Sequence, residues 1–401
     1  MFCEKFKYNS LHLIFITSLY FTHIPGSNNF YNQLRTLLLL LLLFYLVFNS
    51  NFIDYLSSRL TFKITMFYLI LCLFLFISLL HSSNFLYGLK KLISFSLDYY
   101  PSTLIFAFFL THNEKQFYKS SINIFTSLGV ILTAIILIQG GISYISLENN
   151  LLHLGHIGAG KFLTFSFILT LFVSLNPNVI LKKKYFINTA LIFLFIGLYF
   201  SGLRSAMLIT LFCIIILLIS AKYLYKIDIL KRLFYVLLFS AVLIYGISFF
   251  IASPEHRYKK AVIIEKCNIS FDASITDRIN AFNDSINIIK SDFLFGLGLG
   301  GYNNQEIRQL KYPHNILLEI FTELGFVGFI SFILYLFILF KKVLKLNIVL
   351  GILVLISFSF SMFSGSMMDQ KLLFICSCFI FLNISQTNNI NNELDKVIYL
   401  R

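Results

Sequence analysis

Apolar runs too long for a soluble core recur along almost the whole chain, and this limits the fold more than any other feature. They lie at about 15 residues from Leu11 and then at 34–49, 62–80, 92–111, 120–138, 161–177, 185–201, 204–220, 233–251, 315–340, 346–363 and 371–384. Most approach or exceed the roughly 20 apolar residues that cross a bilayer as a helix. Backbone polar groups in hydrocarbon find partners only in helices or closed barrels. The recurring runs are read as helices, so the expected fold is all-α and polytopic, with twelve spans. Apolar residues make up 58% and charged residues 12% of the chain. With 48 Phe, 22 Tyr and no Trp, any interfacial aromatic belt is built from Tyr and Phe. The span at 92–111 is the weakest, because Asp98 and Pro101 interrupt it.

The net charge of +14 does not point to nucleic acid. The basic residues are dispersed through short loops, where they act as topology signals and contacts to anionic lipid headgroups. With the N-terminus inside, eighteen Lys and Arg fall on the cytoplasmic side. Six fall in short outer loops: Arg35, Lys90, Lys91, Lys161, Arg204 and Lys371. Long loops translocate regardless of charge, so segment 252–314 is left out of the count. Both termini are then cytoplasmic. The organisation is 1–251 with nine spans, 252–314 as one large outer loop, and 315–401 with three spans and a tail. Lys5 and Lys7 before the first run resemble a signal peptide, but no small-residue cleavage site follows, so the run is read as uncleaved.

Within 252–314, residues Asp277 to Ile289 have helical spacing and read as an amphipathic helix. Phe295-Gly296-Leu297-Gly298-Leu299-Gly300-Gly301-Tyr302 follows. No strand precedes it and no Lys-Ser/Thr follows, so it is not a nucleotide cradle. It reads instead as a flexible turn that lets a bulky substrate approach the backbone. Cys267 has no partner in that loop and the spacing of Cys and His fits no metal site, so no disulfide and no cofactor are expected. His153 and His156 lie three apart on the outer side without further ligands and read as lining an outer vestibule.

Pro313-His314-Asn315 opens the run at 315–340. Pro313 suits a first helical position. On an ideal helix Gly325 and Gly328 lie within about 20° and 40° of the direction of His314, giving a histidine at the mouth and a small-residue stripe below it. The helix dipole favours neutral imidazole, the form a general base requires. A histidine that merely caps or snorkels fits the same spacing. Glu319 and Glu323 share a face about 140–180° from His314 and are expected to pair with a lysine or arginine, as is Asp98. Arg204 sits at the outer end of an apolar helix, where an arginine often snorkels, and Arg278 opens the amphipathic segment. Arg204, Arg278 and His314 all fall on one side of the membrane. Two guanidiniums can clamp a diphosphate, and a neutral histidine can take a proton from a hydroxyl.

At these residues the sequence resembles the O-antigen ligase and polymerase superfamily. Arg204 to Leu208 gives Arg-x-x-x-Leu. Arg278 opens a segment that ends in the Gly296–Gly300 turn. His314-Asn315, nine residues, Gly325, two residues and Gly328 complete the ligase pattern. The resemblance covers about 190–340. It implies a GT-C-like membrane glycosyltransferase of the bacterial inner membrane, inverting and independent of metal. Such a ligase moves a glycan from undecaprenyl diphosphate to a lipid A–core sugar hydroxyl at the periplasmic face. Arg204 and Arg278 then bind the diphosphate, His314 activates the acceptor, and Asn315, Gly325, Gly328, Glu319 and Glu323 support them. A polymerase acting on the same carrier is the nearest alternative. A lipid-linked glycan flippase is a further one, although no repeat relates the two halves of the chain.

Overall fold

The computed structural model describes residues 50–112, 114–140, 156–174, 181–224, 229–248, 262–265, 268–271, 273–303, 312–346, 348–363 and 366–382, with positions 41, 42, 44, 46 and 48. The expected spans from Leu11 and at 34–49, together with His153, lie in whole or in large part outside them. The helices are α1 Ser50–Leu56, α2 Arg59–Leu80, α3 Phe85–Ser94, α4 Tyr100–His112, α5 Glu114–Gly140, α6 His156–Ser174, α7 Leu181–Phe200, α8 Arg204–Leu224 and α9 Ile229–Ser248. A short antiparallel pair follows, β1 Val262–Glu265 with β2 Asn268–Phe271. Then come α10 Ala273–Ser291, α11 Ile316–Leu346, α12 Ile348–Phe363 and α13 Lys371–Ile375. Apart from that hairpin, the regular structure of the described residues is helical.

Among the described residues four helices are long and apolar enough to cross a membrane: Arg59–Leu80, Phe85–Thr111, Ser120–Ile138 and Ile316–Lys345. The second is longer than the run at 92–111, since α3 passes through a π-helical turn, Phe95–Tyr99, into α4. The turn explains how Asp98 and Pro101 are accommodated. Pro101 has no N–H to continue the α-helical ladder. The register slips one residue before it, so that the Tyr100 N–H donates to the Phe95 carbonyl.

The chain divides into two compact units, one built on Asn113–Lys259, the other on Gln33–His112 and Lys260–Gln386. In the first, α5, α6 and α7 pack closely through small residues. Gly129 meets Leu194 and Ser166, and Gly197 meets Thr133. Thr126 and Thr170 hydroxyls lie 2.8 Å apart across α5 and α6.

In the second unit the core is aromatic. Tyr99 and Phe374 stack at 5.6 Å, and Phe95 meets Phe374 edge-on at 4.9 Å. The run at 371–384 is not a straight span. It is α13 followed by a 3-10 stretch, Cys376–Ile380. Tyrosine hydroxyls reach carbonyls around it. Tyr99 donates to Met367 O at 3.0 Å, Tyr335 to Leu373 O at 2.9 Å and Tyr68 to Phe374 O at 3.1 Å. Irregular backbone persists in an apolar interior where such partners exist.

Helix α11 also departs from expectation. Gly325 has φ 65° and ψ −166°, a conformation open essentially to glycine alone, and it interrupts the helix. The ideal-helix alignment of His314, Gly325 and Gly328 therefore does not apply. At the break the helical bond between residues 322 and 326 is exchanged for bonds to the preceding segment. Thr322 O accepts from Leu297 N–H at 2.9 Å, and Phe326 N–H donates to Phe293 O at 2.8 Å. The glycine turn is likewise packed and not an open approach for substrate. Gly298, Leu299, Gly300, Gly301 and Tyr302 are buried. A Cβ on Gly298 would meet the Ser82 backbone at 2.5 Å, and one on Gly300 the Gly88 backbone at 2.4 Å. The glycines serve close backbone packing.

A Cβ at Gly325 would lie 2.3 Å from the Leu294 carbonyl. Gly325→Ala is expected to cost about 1–3 kcal/mol in backbone strain and a similar amount in overpacking. Thermal unfolding in detergent measures this. Gly351→Ala, which meets only the Leu344 side-chain tip at 3.2 Å, is the near-neutral comparison.

Candidate active site

Helix α11 begins at Ile316, so Pro313 precedes the helix and does not occupy its first position. Asn315 is the N-cap. Its Oδ1 accepts from Leu317 N–H at 3.0 Å and Leu318 N–H at 3.2 Å, satisfying two of the orphan donors of a helix start. His314, immediately before the cap, has φ 57°, and it is the non-glycine residue with positive φ among those described. Such strain at a polar residue marks a functional candidate.

The His314 ring packs against the Tyr312 ring with centroids 4.5 Å apart. Its Nδ1 is buried and has no hydrogen-bond partner among the described residues. Burial, and then the positive charge of Arg278, lower its pKa from 6.5 to about 4, while Asp369 and Asp277 act in the opposite sense. Near neutral pH the imidazole is therefore uncharged. The expectation of a neutral histidine holds, but burial and Arg278 dominate where the helix dipole was expected to act. Burial also raises the Tyr312 hydroxyl's pKa, so the phenol stays protonated.

Arg278 lies in the second turn of α10 and is exposed. The structure brings it within electrostatic reach of His314 in one unit. Arg204 begins α8 in the other unit, after a Ser201-Gly202-Leu203 turn in which Gly202 has φ 66°. Leu203 of that turn packs on Gly160 of α6. His156 is the first residue of α6. Gly328 lies on the helical part of α11 beyond the break and is buried.

Directly below the mouth sits a charge cluster that was only half anticipated. Glu319 and Glu323 pair with Lys91 of α3. Lys91 Nζ lies 2.5 Å from Glu319 Oε1 and 2.7 and 2.8 Å from the Glu323 oxygens, and all three side chains are at most 1% exposed. Glu319 Oε2 also accepts from Met367 N–H at 2.7 Å, and Glu323 Oε2 from Gly300 N–H at 2.9 Å. Four segments thus meet on two carboxylates: α3, the glycine turn, α11 and the Met367–Asp369 turn. Lys371 Nζ lies 3.1 Å from Asp98 Oδ2. Lys91 and Lys371, counted among outer-loop charges from sequence, are buried partners of membrane carboxylates. Sequence reasoning also passed over Asp369, whose charge reaches His314 and Tyr312. The available signal was an unpaired pair of glutamates in an apolar helix, which requires a buried cation somewhere in the chain.

Among the described residues no cluster of three His, Cys, Asp or Glu could hold a metal ion. The family described as O-Antigen ligase matches residues 189–333. The match runs from α7 into α11 and includes Arg204, Arg278, His314, Asn315, Glu319, Glu323, Gly325 and Gly328. No curated protein and no solved structure shows significant similarity to the chain.

Proposed function

We propose that the protein is an O-antigen ligase, a reading supported by the match of residues 189–333 to the family described as O-Antigen ligase. The family supports a ligase- or polymerase-type enzyme of lipopolysaccharide synthesis in the inner membrane. In the finer reading a glycan passes from undecaprenyl diphosphate to a sugar hydroxyl of lipid A–core at the periplasmic face. The observation that carries it is His314, held neutral within electrostatic reach of Arg278, its Nδ1 unpartnered among the described residues.

His314 takes the proton of the acceptor hydroxyl as its oxygen bonds to the anomeric carbon. The bond from that carbon to the diphosphate breaks, with inversion. Arg278 and Arg204 stabilise the negative charge that develops on the diphosphate, which removes the need for a metal. A general base worth about 10²–10⁴-fold and a pre-placed cation suit a reaction whose leaving group is already a good one. Arg204→Lys is expected to lose most transfer if the contact is bidentate, with membrane levels unchanged on an immunoblot.

The architecture proposed with this function is GT-C-like, with twelve spans, both termini cytoplasmic and 252–314 periplasmic. Removing Lys91 and Lys371 from the outer-loop charges strengthens the charge bias behind that orientation.

Polymerase is the nearest alternative, since it uses the same carrier and the same arginines. A flippase calls for functional charges within the spans. Lys91, Glu319, Glu323, Asp98 and Lys371 do lie there, but they pair with one another and with backbone N–H groups, which favours a structural role. Deletion strains separate the three. Loss of a ligase accumulates long carrier-linked glycan outside. Loss of a polymerase leaves single repeat units, and loss of a flippase traps carrier-linked glycan inside.

A further inference from the structure

Within segment 252–314 one stretch is more apolar at its surface than an aqueous loop allows. After Lys290-Ser291-Asp292, all exposed, come Phe293, Leu294 and Phe295, which are 46%, 56% and 65% exposed. The polarity changes between two adjacent residues. On one side Ser291 Oγ donates to the Asp292 carboxylate at 2.7 Å. On the other, three large apolar side chains stand uncovered.

The same stretch is bonded to the membrane helix. The Phe293 and Leu294 carbonyls accept from Phe326 and Val327 N–H at 2.8 and 3.4 Å, and Leu297 N–H donates to Thr322 O at 2.9 Å. The Gly325 break makes these bonds possible. Gly296 N–H donates to Asp292 O at 3.0 Å. The Phe293 and Leu294 carbonyls and the Gly296 and Leu297 N–H groups thus have protein partners, as irregular backbone at membrane depth requires.

The depth follows from α11. Its far end is marked by Lys341, Lys342 and Lys345. A hydrocarbon core of roughly 20 helical residues counted back from Lys341 begins near Phe321. Gly325 and Phe326 then lie about 6–8 Å inside the core at 1.5 Å per residue. Phe326, Ile330, Leu334 and Phe337 form an exposed apolar stripe down one face of α11. The Phe293 ring stacks on Phe326 at 5.1 Å, so its surface continues that stripe.

We infer that Phe293–Phe295 is a re-entrant wedge immersed in the acyl chains of the bilayer, joined to the broken helix α11 at Gly325. It anchors α10, and Arg278 with it, at a fixed height above the membrane. Continuity with a membrane-facing helix surface selects lipid hydrocarbon as the occupant over a second copy of the chain. The inference rests on α11 being a membrane span and is independent of the transfer chemistry.

The chain has no tryptophan, so a single introduced one reports its own surroundings. Phe295→Trp and Leu294→Trp are compared in vesicles with Phe337→Trp, at a position of α11 that is 63% exposed. The vesicles contain either plain lipids or lipids with brominated acyl chains, and iodide serves as the aqueous quencher. Brominated lipid is expected to quench both wedge tryptophans to the same fraction as Phe337→Trp, with little effect of iodide. Quenching by iodide overturns the wedge. So does protection from both quenchers while Phe337→Trp responds to brominated lipid, which indicates a covering protein surface. If Phe337→Trp also escapes brominated lipid, the membrane placement of α11 fails, and the wedge with it. Two independent wedge positions guard against one variant misfolding, which gel filtration detects.

Discussion

Lys91→Met is expected to destabilise the protein by about 3–5 kcal/mol, the cost of leaving a buried charge uncompensated. Glu319 and Glu323 are then two adjacent carboxylates in an apolar interior, left among the described residues with the Met367 and Gly300 N–H groups for support. Chemical unfolding in detergent measures the loss. Methionine matches the lysine stem in length, so the effect is one of charge more than of volume. Adding Glu319→Gln and Glu323→Gln to Lys91→Met is expected to recover much of the stability, because no net buried charge then remains. A single variant that unfolds like wild type means that water reaches the cluster. The cluster also ties the glycine turn and the Met367–Asp369 turn to the helix that begins beside His314, so the single variant is expected to lose transfer along with stability.

His314→Ala is expected to lower transfer by about 10²–10⁴-fold, the usual worth of a positioned general base, with thermal unfolding near that of wild type. The pH profile carries a sharper signature. The base-competent form is the neutral imidazole, and a pKa lowered from 6.5 to about 4 extends it to lower pH. The acid limb of kcat/KM, which reports the free enzyme, is expected near pH 4 instead of 6.5. Arg278→Ala removes one of the two causes of that lowering and is expected to move the limb upward while slowing transfer. A purely structural arginine leaves the limb in place. The linkage to stability runs the same way. The unfolded histidine, near 6.5, takes up its proton before the folded one does. Stability from this group is therefore intact above about pH 6.5 and is lost as the pH falls towards 4.

The helices were legible because apolar runs in hydrocarbon have few alternatives to a helix. The amphipathic segment around Asp277–Ile289 falls within α10 for the same reason, its periodicity being local. The mouth of α11 was legible only in part. Pro313-His314-Asn315 signals a helix start, but the competition between a proline at the first turn and an asparagine cap is decided by geometry, and Asn315 wins. Gly325 was read through an ideal helix. Its break depends on Phe293–Leu297, nearly thirty residues earlier in the chain, and no local periodicity encodes such a pairing. Lys91 misled because a lysine near a helix end normally marks topology. Only the tertiary structure shows it turned inward to Glu319 and Glu323. Asp369 carries a local signal, the Ser366-x-x-Asp369 capping box in which its carboxylate accepts from Ser366 N–H at 2.8 Å, but the bond from Met367 N–H to Glu319 that ties this turn to the start of α11 is tertiary. The pattern of Arg204, Arg278 and His314 was visible as a resemblance to a family motif, and of these the structure brings Arg278 within electrostatic reach of His314.

The central claim is transfer of a glycan from a lipid diphosphate to lipid A–core. Its most direct test combines purified protein, undecaprenyl-diphosphate glycan and labelled lipid A–core, in the presence of chelator. The expected result is labelled lipid A–core bearing glycan, formed by wild type and reduced to trace by His314→Ala. Glycan that lengthens on the carrier while lipid A–core stays unmodified contradicts the ligase and identifies a polymerase.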